Sequence, residues 1–209
     1  TVTQNTFNGI TSASTGTGIG SNAAIMMSTN VINSSITRNN ISNISNVYSL
    51  LYYPARGIEV STANAVSNDI IANNMISNLT SGGYNSYTYF PAGICIEGTT
   101  GGVKVYYNTV NMSGPNAGYA SGVTGSACFM STTTGFNIDV RDNIFNNTYH
   151  NTANVAGDVG YAIYTSTGSN AAFSNFDYND YYVDGANVLG FLSAPRATVA
   201  AIASSFGGN

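Results

Sequence analysis

One hexapeptide register recurs along this chain: an apolar residue, two variable residues, asparagine, one variable residue and a second apolar residue. It reads Val2-Thr-Gln-Asn5-Thr-Phe7, Ile36-Thr-Arg-Asn39-Asn-Ile41, Ile71-Ala-Asn-Asn74-Met-Ile76, Val105-Tyr-Tyr-Asn108-Thr-Val110, Val140-Arg-Asp-Asn143-Ile-Phe145 and Phe176-Asp-Tyr-Asn179-Asp-Tyr181. The six asparagines are 34, 35, 34, 35 and 36 residues apart. A fixed period of this size marks a stacked repeat, in which each unit is too small to bury its apolar face without its neighbours. Helical repeats share such periods, but they need Ala, Leu, Glu and Lys at 3.6-residue spacing. These repeats instead combine β-branched residues, Gly and Asn with a two-residue alternation, which is the pattern of strands.

A second recurrent strand precedes each anchor by about a dozen residues. It is visible as Ala24-Ile-Met-Met27, Gly57-Ile-Glu-Val60, Gly93-Ile-Cys-Ile96, Ala127-Cys-Phe-Met130 and Ala162-Ile-Tyr164. Ile58 with Val60, and Ile94 with Ile96, alternate with a different class of residue, so Glu59 and Cys95 are predicted to point outward. Ser/Thr/Gly turns follow, then a short middle strand, then the anchor strand. Three short strands per turn, stacking in parallel, predict an all-β right-handed parallel β-helix of about six turns of 34–36 residues. The predicted organisation is a single domain over residues 1–209, with repeats over 1–183 and a C-terminal cap region over 184–209. The chain opens at Thr1 with Val2 already inside a repeat, which reads as a segment of a longer polypeptide.

Composition narrows the functional classes. Charged residues make up 7% of the 209, and the net charge is -4 with five scattered Lys and Arg, so no basic footprint for nucleic acid exists. No apolar run approaches the ~18 residues that span a bilayer. Solubility must come from Asn, Ser, Thr, Gly and Tyr, a composition suited to an extracellular or cell-surface protein. Two cysteines, Cys95 and Cys128, lack metal-ligand spacing, and neither a metal nor another cofactor is expected. Aligning Gly93-Ile-Cys95 over Ser126-Ala-Cys128 places them in one column of successive turns. At ~4.8 Å between strands a disulfide is within reach, although in-register parallel neighbours give a poor dihedral. Two reduced thiols are the alternative.

The anchors, with Val140-Arg-Asp-Asn-Ile-Phe145, Tyr161-Ala-Ile-Tyr164 and Asp177-Tyr-Asn-Asp-Tyr-Tyr182, resemble the right-handed parallel β-helix, or pectin-lyase-like, fold. They are more closely similar to β-helix repeat modules of very large secreted and surface proteins of bacteria, of the Bacteroidetes type. The resemblance covers residues 2 to about 183. It implies that Asn5, Asn39, Asn74, Asn108, Asn143 and Asn179 form a structural ladder, each amide donating to and accepting from its equivalents in adjacent turns. Asn also tolerates the left-handed backbone that a sharp corner demands.

A bare turn of such a coil takes about 22 to 25 residues, so each repeat carries extra length after its anchor, over 44–56, 79–92, 112–125 and 147–160. Insertions at one position project from one side, and tyrosines concentrate there. Tyr52, Tyr53, Tyr84, Tyr87, Tyr89 and Tyr119 are the candidate binding residues for polysaccharide or cell-surface glycan, since a phenol offers a ring for a sugar face and a hydroxyl for its edge. Tyr48 and Tyr149 lie in the same stretches. In a chain with no Trp and 15 Tyr these rings have a plainer structural reading, in which they lie over Val47, Leu50, Leu51 and Phe90. The outward column Met26, Glu59, Cys95, Cys128, Ala162 shows no repeated chemistry.

Relatives of the fold include polysaccharide lyases and glycoside hydrolases, which need clustered carboxylates. Among nine acids, only Asp142, Asp177 and Asp180 with Arg141 approach a cluster, and a salt bridge from Arg141 to Asp177 between rungs is the plainer reading. His150, without a nucleophile beside it in sequence, reads as a surface residue. A threonine lattice of the ice-binding kind is disfavoured by turns of unequal length. Glycosylation triplets at Asn33, Asn40, Asn43, Asn78, Asn111 and Asn146 arise readily in so Asn-rich a chain. At the C-terminus, Ser193 and the spacing of Val199, Ile202 and Phe206 predict a short helix lying as a lid on the last rung. The leading expectation is therefore a non-catalytic structural or adhesive module, able to stack with further repeats or copies into a fibre. A polysaccharide-cleaving enzyme is the alternative.

Overall fold

The computed structural model describes residues 1–13, 21–46, 54–81, 86, 89–116, 124–153 and 155–206. They form a parallel β-helix with three sheets. The first contains β1 (Val2–Thr3), β5 (Ser35–Thr37), β8 (Ile70–Ala72), β11 (Lys104–Tyr106), β14 (Ile138–Arg141) and β17 (Phe173–Asp177). The second contains β2 (Thr6–Asn8), β3 (Thr11–Ser12), β6 (Asn40–Asn46), β9 (Met75–Thr80), β12 (Thr109–Asn116), β15 (Ile144–Asn151) and β18 (Asp180–Val183). The third contains β4 (Asn22–Met27), β7 (Ala55–Val60), β10 (Ala92–Ile96), β13 (Thr124–Ser131), β16 (Asp158–Thr165), β19 (Val188–Leu192) and the antiparallel β20 (Ala194–Arg196). The helix α1 (Val199–Phe206) follows. About four turns are complete, not six: only the rungs running β5–β7, β8–β10, β11–β13 and β14–β16 have neighbours on both sides in every sheet.

Register follows the apolar columns. Ile36, Ile71, Val105, Val140 and Phe176 stand opposite one another in the first sheet, and Ile41, Ile76, Val110, Phe145 and Tyr181 in the second. In each column the four residues before the last are essentially sealed from solvent, and they join one continuous core. A slip by one residue turns every one of them outward, so the pattern fixes the register.

Every connection from the first sheet to the second is two residues long: one with φ of 53–58°, then the ladder asparagine. The left-handed residues are Gln4, Arg38, Asn73, Tyr107, Asp142 and Tyr178. This corrects the expectation that the ladder asparagines adopt this conformation themselves; the residue before each one does. The ladder Asn is then free to point inward. Its Oδ1 accepts both the backbone N–H and the Nδ2 of the preceding rung's Asn, at 2.9–3.2 Å from Asn5 through to Asn179. The second Nδ2 hydrogen goes to a backbone carbonyl, as from Asn108 to Ile71 at 2.9 Å and from Asn143 to Val105 at 3.0 Å. Buried polar groups are thereby satisfied rung by rung.

The third sheet departs from simple alternation. Cys128 and Phe129, like Ala162 and Ile163, both belong to the interior core. A Cβ on Gly57 would meet Ile76 Cγ2 at 2.6 Å, and one on Gly93 would meet Val110 Cγ1 at 2.2 Å, so both glycines face inward beside Ile58 and Ile94. Two successive inward residues leave room for only a small first one, hence Gly, Gly, Cys and Ala in successive rungs.

The C-terminal lid forms, with a different start. Ser193 does not cap it: residues 194–196 pair with β19, and Thr198 Oγ1 accepts the Ala201 N–H at 3.1 Å. Phe206 packs on Phe176 with ring centres 4.8 Å apart, and Ile202 lies over Gly190.

Candidate functional site

The outer face of the first sheet is the most organised polar surface among the described residues. Because Val105 and Val140 face inward, their neighbours Lys104, Tyr106, Asp139 and Arg141 face outward, with Lys104 opposite Asp139 and Tyr106 opposite Arg141. Arg141 grips Asp139 through Nε at 2.7 Å and Nη2 at 2.8 Å, and Tyr106 donates its hydroxyl to Asp139 Oδ2 at 2.6 Å. The guanidinium carbon lies 5.1 Å from the Tyr106 ring centre, within cation–π range. Desolvation first, then the bond to Asp139, pushes the Tyr106 phenol up; the bonds to Asp139 and Tyr106 hold Arg141 firmly protonated. Lys104 Nζ donates to Asn68 Oδ1 at 2.8 Å. Beside these groups runs a groove of about 300 Å³ lined by Val66, Asn68, Gly102, Lys104, Asn137, Asp139 and Ser174.

The acids of the enzyme reading lie at the edge of this face. Asp177 stands opposite Arg141, as expected from the repeat, yet the ion pair Arg141 makes is with Asp139 on its own strand. The expected Arg141–Asp177 bridge is thus replaced by an in-strand contact. Asp142 is a left-handed corner residue, and Asp180 begins β18 on the far side of the corner, with Asn179 between it and Asp177. Asp142 and Asp177 are brought to adjacent rungs; Asp180 is turned onto another sheet. Among the described residues no group of three His, Cys, Asp or Glu side chains is placed to hold a metal ion.

Of the candidate sugar-binding tyrosines, Tyr52, Tyr53, Tyr84, Tyr87 and Tyr119 lie outside the described residues, as do Tyr48, Val47, Leu50 and Leu51. Tyr89 is half-buried. Tyr149 is no wall residue: it is buried in the core and its hydroxyl donates to the Ser81 carbonyl at 2.8 Å.

The outward columns of the third sheet also need correction. The second of them runs Met26, Glu59, Cys95, Met130, Tyr164, Phe191, and beside it run Ala23, Arg56, Ala92, Ala127, Tyr161, Val188. Cys128 and Ala162 belong inside. Cys95 therefore faces Met130, on the opposite surface of the sheet from Cys128, and both thiols are free and buried. Burial pushes both thiols up, so neither is a ready nucleophile.

From Arg56 onward this outer face is covered, whereas Met26 on the first rung is exposed. Phe90 packs on Tyr161 and Tyr164, Tyr164 stacks on Phe191 at 5.1 Å, and Arg56 is fully buried beneath. The Arg56 guanidinium donates to the Phe90 carbonyl and, at 3.3 Å, to Glu97 Oε1, which also accepts from Cys95 Sγ at 3.1 Å. Burial raises the Glu59 carboxyl.

Two further groupings were missed in sequence. His150 is not an isolated surface residue: its Nδ1 lies 3.4 Å from Asp158 and its Nε2 3.0 Å from Asp184, one carboxylate on each side. The period alone gives half of this, since Asp184 follows His150 by 34 residues. A second ladder, Asn8–Asn43–Asn78, runs on the outside of the second sheet, followed by Asn111–Asn146 at 2.8 Å. Four of these asparagines head the glycosylation triplets noted above.

Searches of protein-family models, of curated proteins and of solved structures each returned no match to this chain.

Proposed function

We propose that this chain is a non-catalytic module of a secreted or cell-surface protein, a rigid structural or adhesive rod that holds glycan on its flank. The observation that supports this most directly is the locked Tyr106–Asp139–Arg141 array on the outer face of the first sheet. Its planar groups are immobilised before any ligand arrives, which lowers the entropy lost on binding. The unbroken ladder and three in-register sheets favour a stiff spacer over a hinged catalyst. Kinship with the pectin-lyase-like group, and with surface modules of the Bacteroidetes type, is part of the same proposal and rests on the repeat motif.

Fibre formation is narrowed by the ends. At the first rung, Asn5 donates its backbone N–H and its Nδ2 to Asn39 Oδ1 at 3.1 and 3.2 Å, as every later ladder Asn does to the next one. At the other end α1 and β20 lie on β19, which disfavours head-to-tail stacking of copies.

The polysaccharide-cleaving alternative draws on Asp142 and Asp177 on adjacent rungs beside Arg141. Both readings are separated by incubating the protein with a panel of neutral and acidic polysaccharides while following binding and product release together. Retention of polymer with no new chain ends is expected. Turnover that disappears in Asp142→Asn or Asp177→Asn would replace the module by an enzyme.

A further inference from the structure

The corner between the first and second sheets carries an exposed column in which Tyr107, Asp142 and Tyr178 follow one another on successive rungs. Their order is fixed by the backbone: the Tyr107 N–H bonds to the Arg141 carbonyl at 3.4 Å, and the Asp142 N–H to the Asp177 carbonyl at 3.3 Å. Tyr107 is 59% exposed and Tyr178 68% exposed. With ~4.8 Å between rungs, the two tyrosine backbones lie ~9.6 Å apart along the axis, with Asp142 on the rung between them. All three residues hold φ of 53–58°, where Asn and Gly are at ease and bulky side chains are uncommon. Asn73 shows which residue suits the position on conformational grounds alone. Tyrosine at two of the six corners costs conformational energy and recovers little of it by burial; the Tyr107 ring meets the neighbouring Tyr106 ring, 6.4 Å between centres. Met75 and Ile144, both largely exposed, border the same ridge at the start of the second sheet.

We propose that Tyr107 and Tyr178 form a two-ring platform for a neutral, extended polysaccharide lying along the rod axis, with Asp142 accepting hydroxyl hydrogens between the rings. The inference rests on the glycan-holding reading above and names its ligand class and subsite. Rings separated by two rungs match alternate sugars of a straight, equatorially linked chain, whose disaccharide unit is about as long. A coiled α-linked chain does not keep its sugar faces in line over that distance. A central carboxylate on a chain of net charge -4 repels polyuronates.

Calorimetric titration of the whole chain with a β-1,4-linked neutral hexasaccharide, its α-1,4-linked counterpart and an oligouronate tests this. Tyr107→Asn and Tyr178→Asn keep a residue suited to the left-handed corner, so folding is retained while the ring is removed. Binding of the β-linked oligomer is expected, each single variant weakening it by roughly three- to ten-fold and the double variant abolishing it. Asp142→Asn is expected to admit the oligouronate. Unchanged affinity in the double variant would overturn the platform and leave the wider glycan reading standing. Absence of binding to all three oligomers by the wild-type protein would remove that reading as well, for these sugar classes. Loss of self-association in the tyrosine variants, with no oligosaccharide effect, would make the ridge an interface between copies and overturn the proposal.

Discussion

The corner that holds the asparagine ladder and the outer face of the third sheet solve the same problem by opposite means. At the corner, a polar side chain recurs in every rung, is buried at Asn39, Asn74, Asn108 and Asn143, and is satisfied there by its own copies above and below. On the third sheet, Arg56 is buried once, and its partners are unlike it and unlike one another: a carbonyl from Phe90 and a carboxylate from Glu97. A repeated solution spreads its energy over many equivalent bonds, and the loss of one member is shared between two neighbours. A single solution concentrates the cost at one residue. The stability of this rod is therefore uneven around its circumference.

Arg56→Ala is the sharpest way to break that contrast. It takes the guanidinium from the Phe90 carbonyl and from Glu97, which keeps only the Cys95 thiol as donor, and a loss of about 3–5 kcal/mol is expected from chemical denaturation. A smaller effect than the ladder substitution below would show that the third sheet's cover is looser than its packing indicates. Asn108→Ala comes next. It removes the acceptor of two N–H donors of Asn74 and the side-chain donor to the Ile71 carbonyl, and leaves Asn143 Oδ1 with the residue-108 backbone N–H alone; a loss of about 3 kcal/mol is expected, against less than about 1 kcal/mol for the exposed end member Asn5→Ala. Equal effects at the two positions would mean that the ladder is not read rung by rung.

Glu59 adds a pH arm to the third-sheet side of the comparison. Burial raises its folded-state pKa above the unfolded value of 4.5, so its contribution is fully present below pH 4.5 and is lost as pH rises through the folded pKa. Asp158, raised chiefly by desolvation, acts with the same sign from its own unfolded value of 3.8. Glu59→Gln is expected to raise the melting temperature at neutral pH and to flatten this part of the pH profile; a profile unchanged by the substitution would exclude Glu59 as its source. The smallest effect belongs to the corner itself. Arg38→Gly relieves a left-handed, exposed non-glycine residue and is expected to stabilise by about 1 kcal/mol, measured as a shift of the denaturation midpoint.

Much of the architecture was legible in the sequence, because a stack of rungs repeats its physical demands at a fixed interval. Ile36, Ile71, Val105 and Val140 announce one buried column, and the asparagine three residues after each announces the corner. The C-terminal lid was legible for the same kind of reason, through the spacing of Val199, Ile202 and Phe206. Legibility failed where the period was interrupted or where neighbours were brought in from outside it. Aligning Cys95 with Cys128 placed both in one outward column, whereas 35 residues beyond Cys95 lies Met130, its true neighbour. Phe129 must stand opposite Ile94 to fill the core, and Cys128 turns inward because this strand sends two successive residues, Cys128 and Phe129, to the core side, which no alternating pattern announces.

The candidate sites were less legible than the fold. Asp139, 37 residues before Phe176 and two before Arg141, competes successfully with Asp177 because a neighbour on the same strand face meets the guanidinium in a bidentate geometry. His150 was set aside for want of a sequence partner, and its two carboxylates arrive from the next strand and the next rung. The sequence by itself determined the stacking, the ladder and the face that each apolar column presents, since all three follow from local alternation repeated at one period. Only the tertiary structure decided that the residue before each Asn takes the left-handed turn, that Arg56 is buried and that His150 is clasped. Each of those outcomes depends on which unlike groups packing brings within hydrogen-bonding distance, and no periodic signal in the chain encodes that.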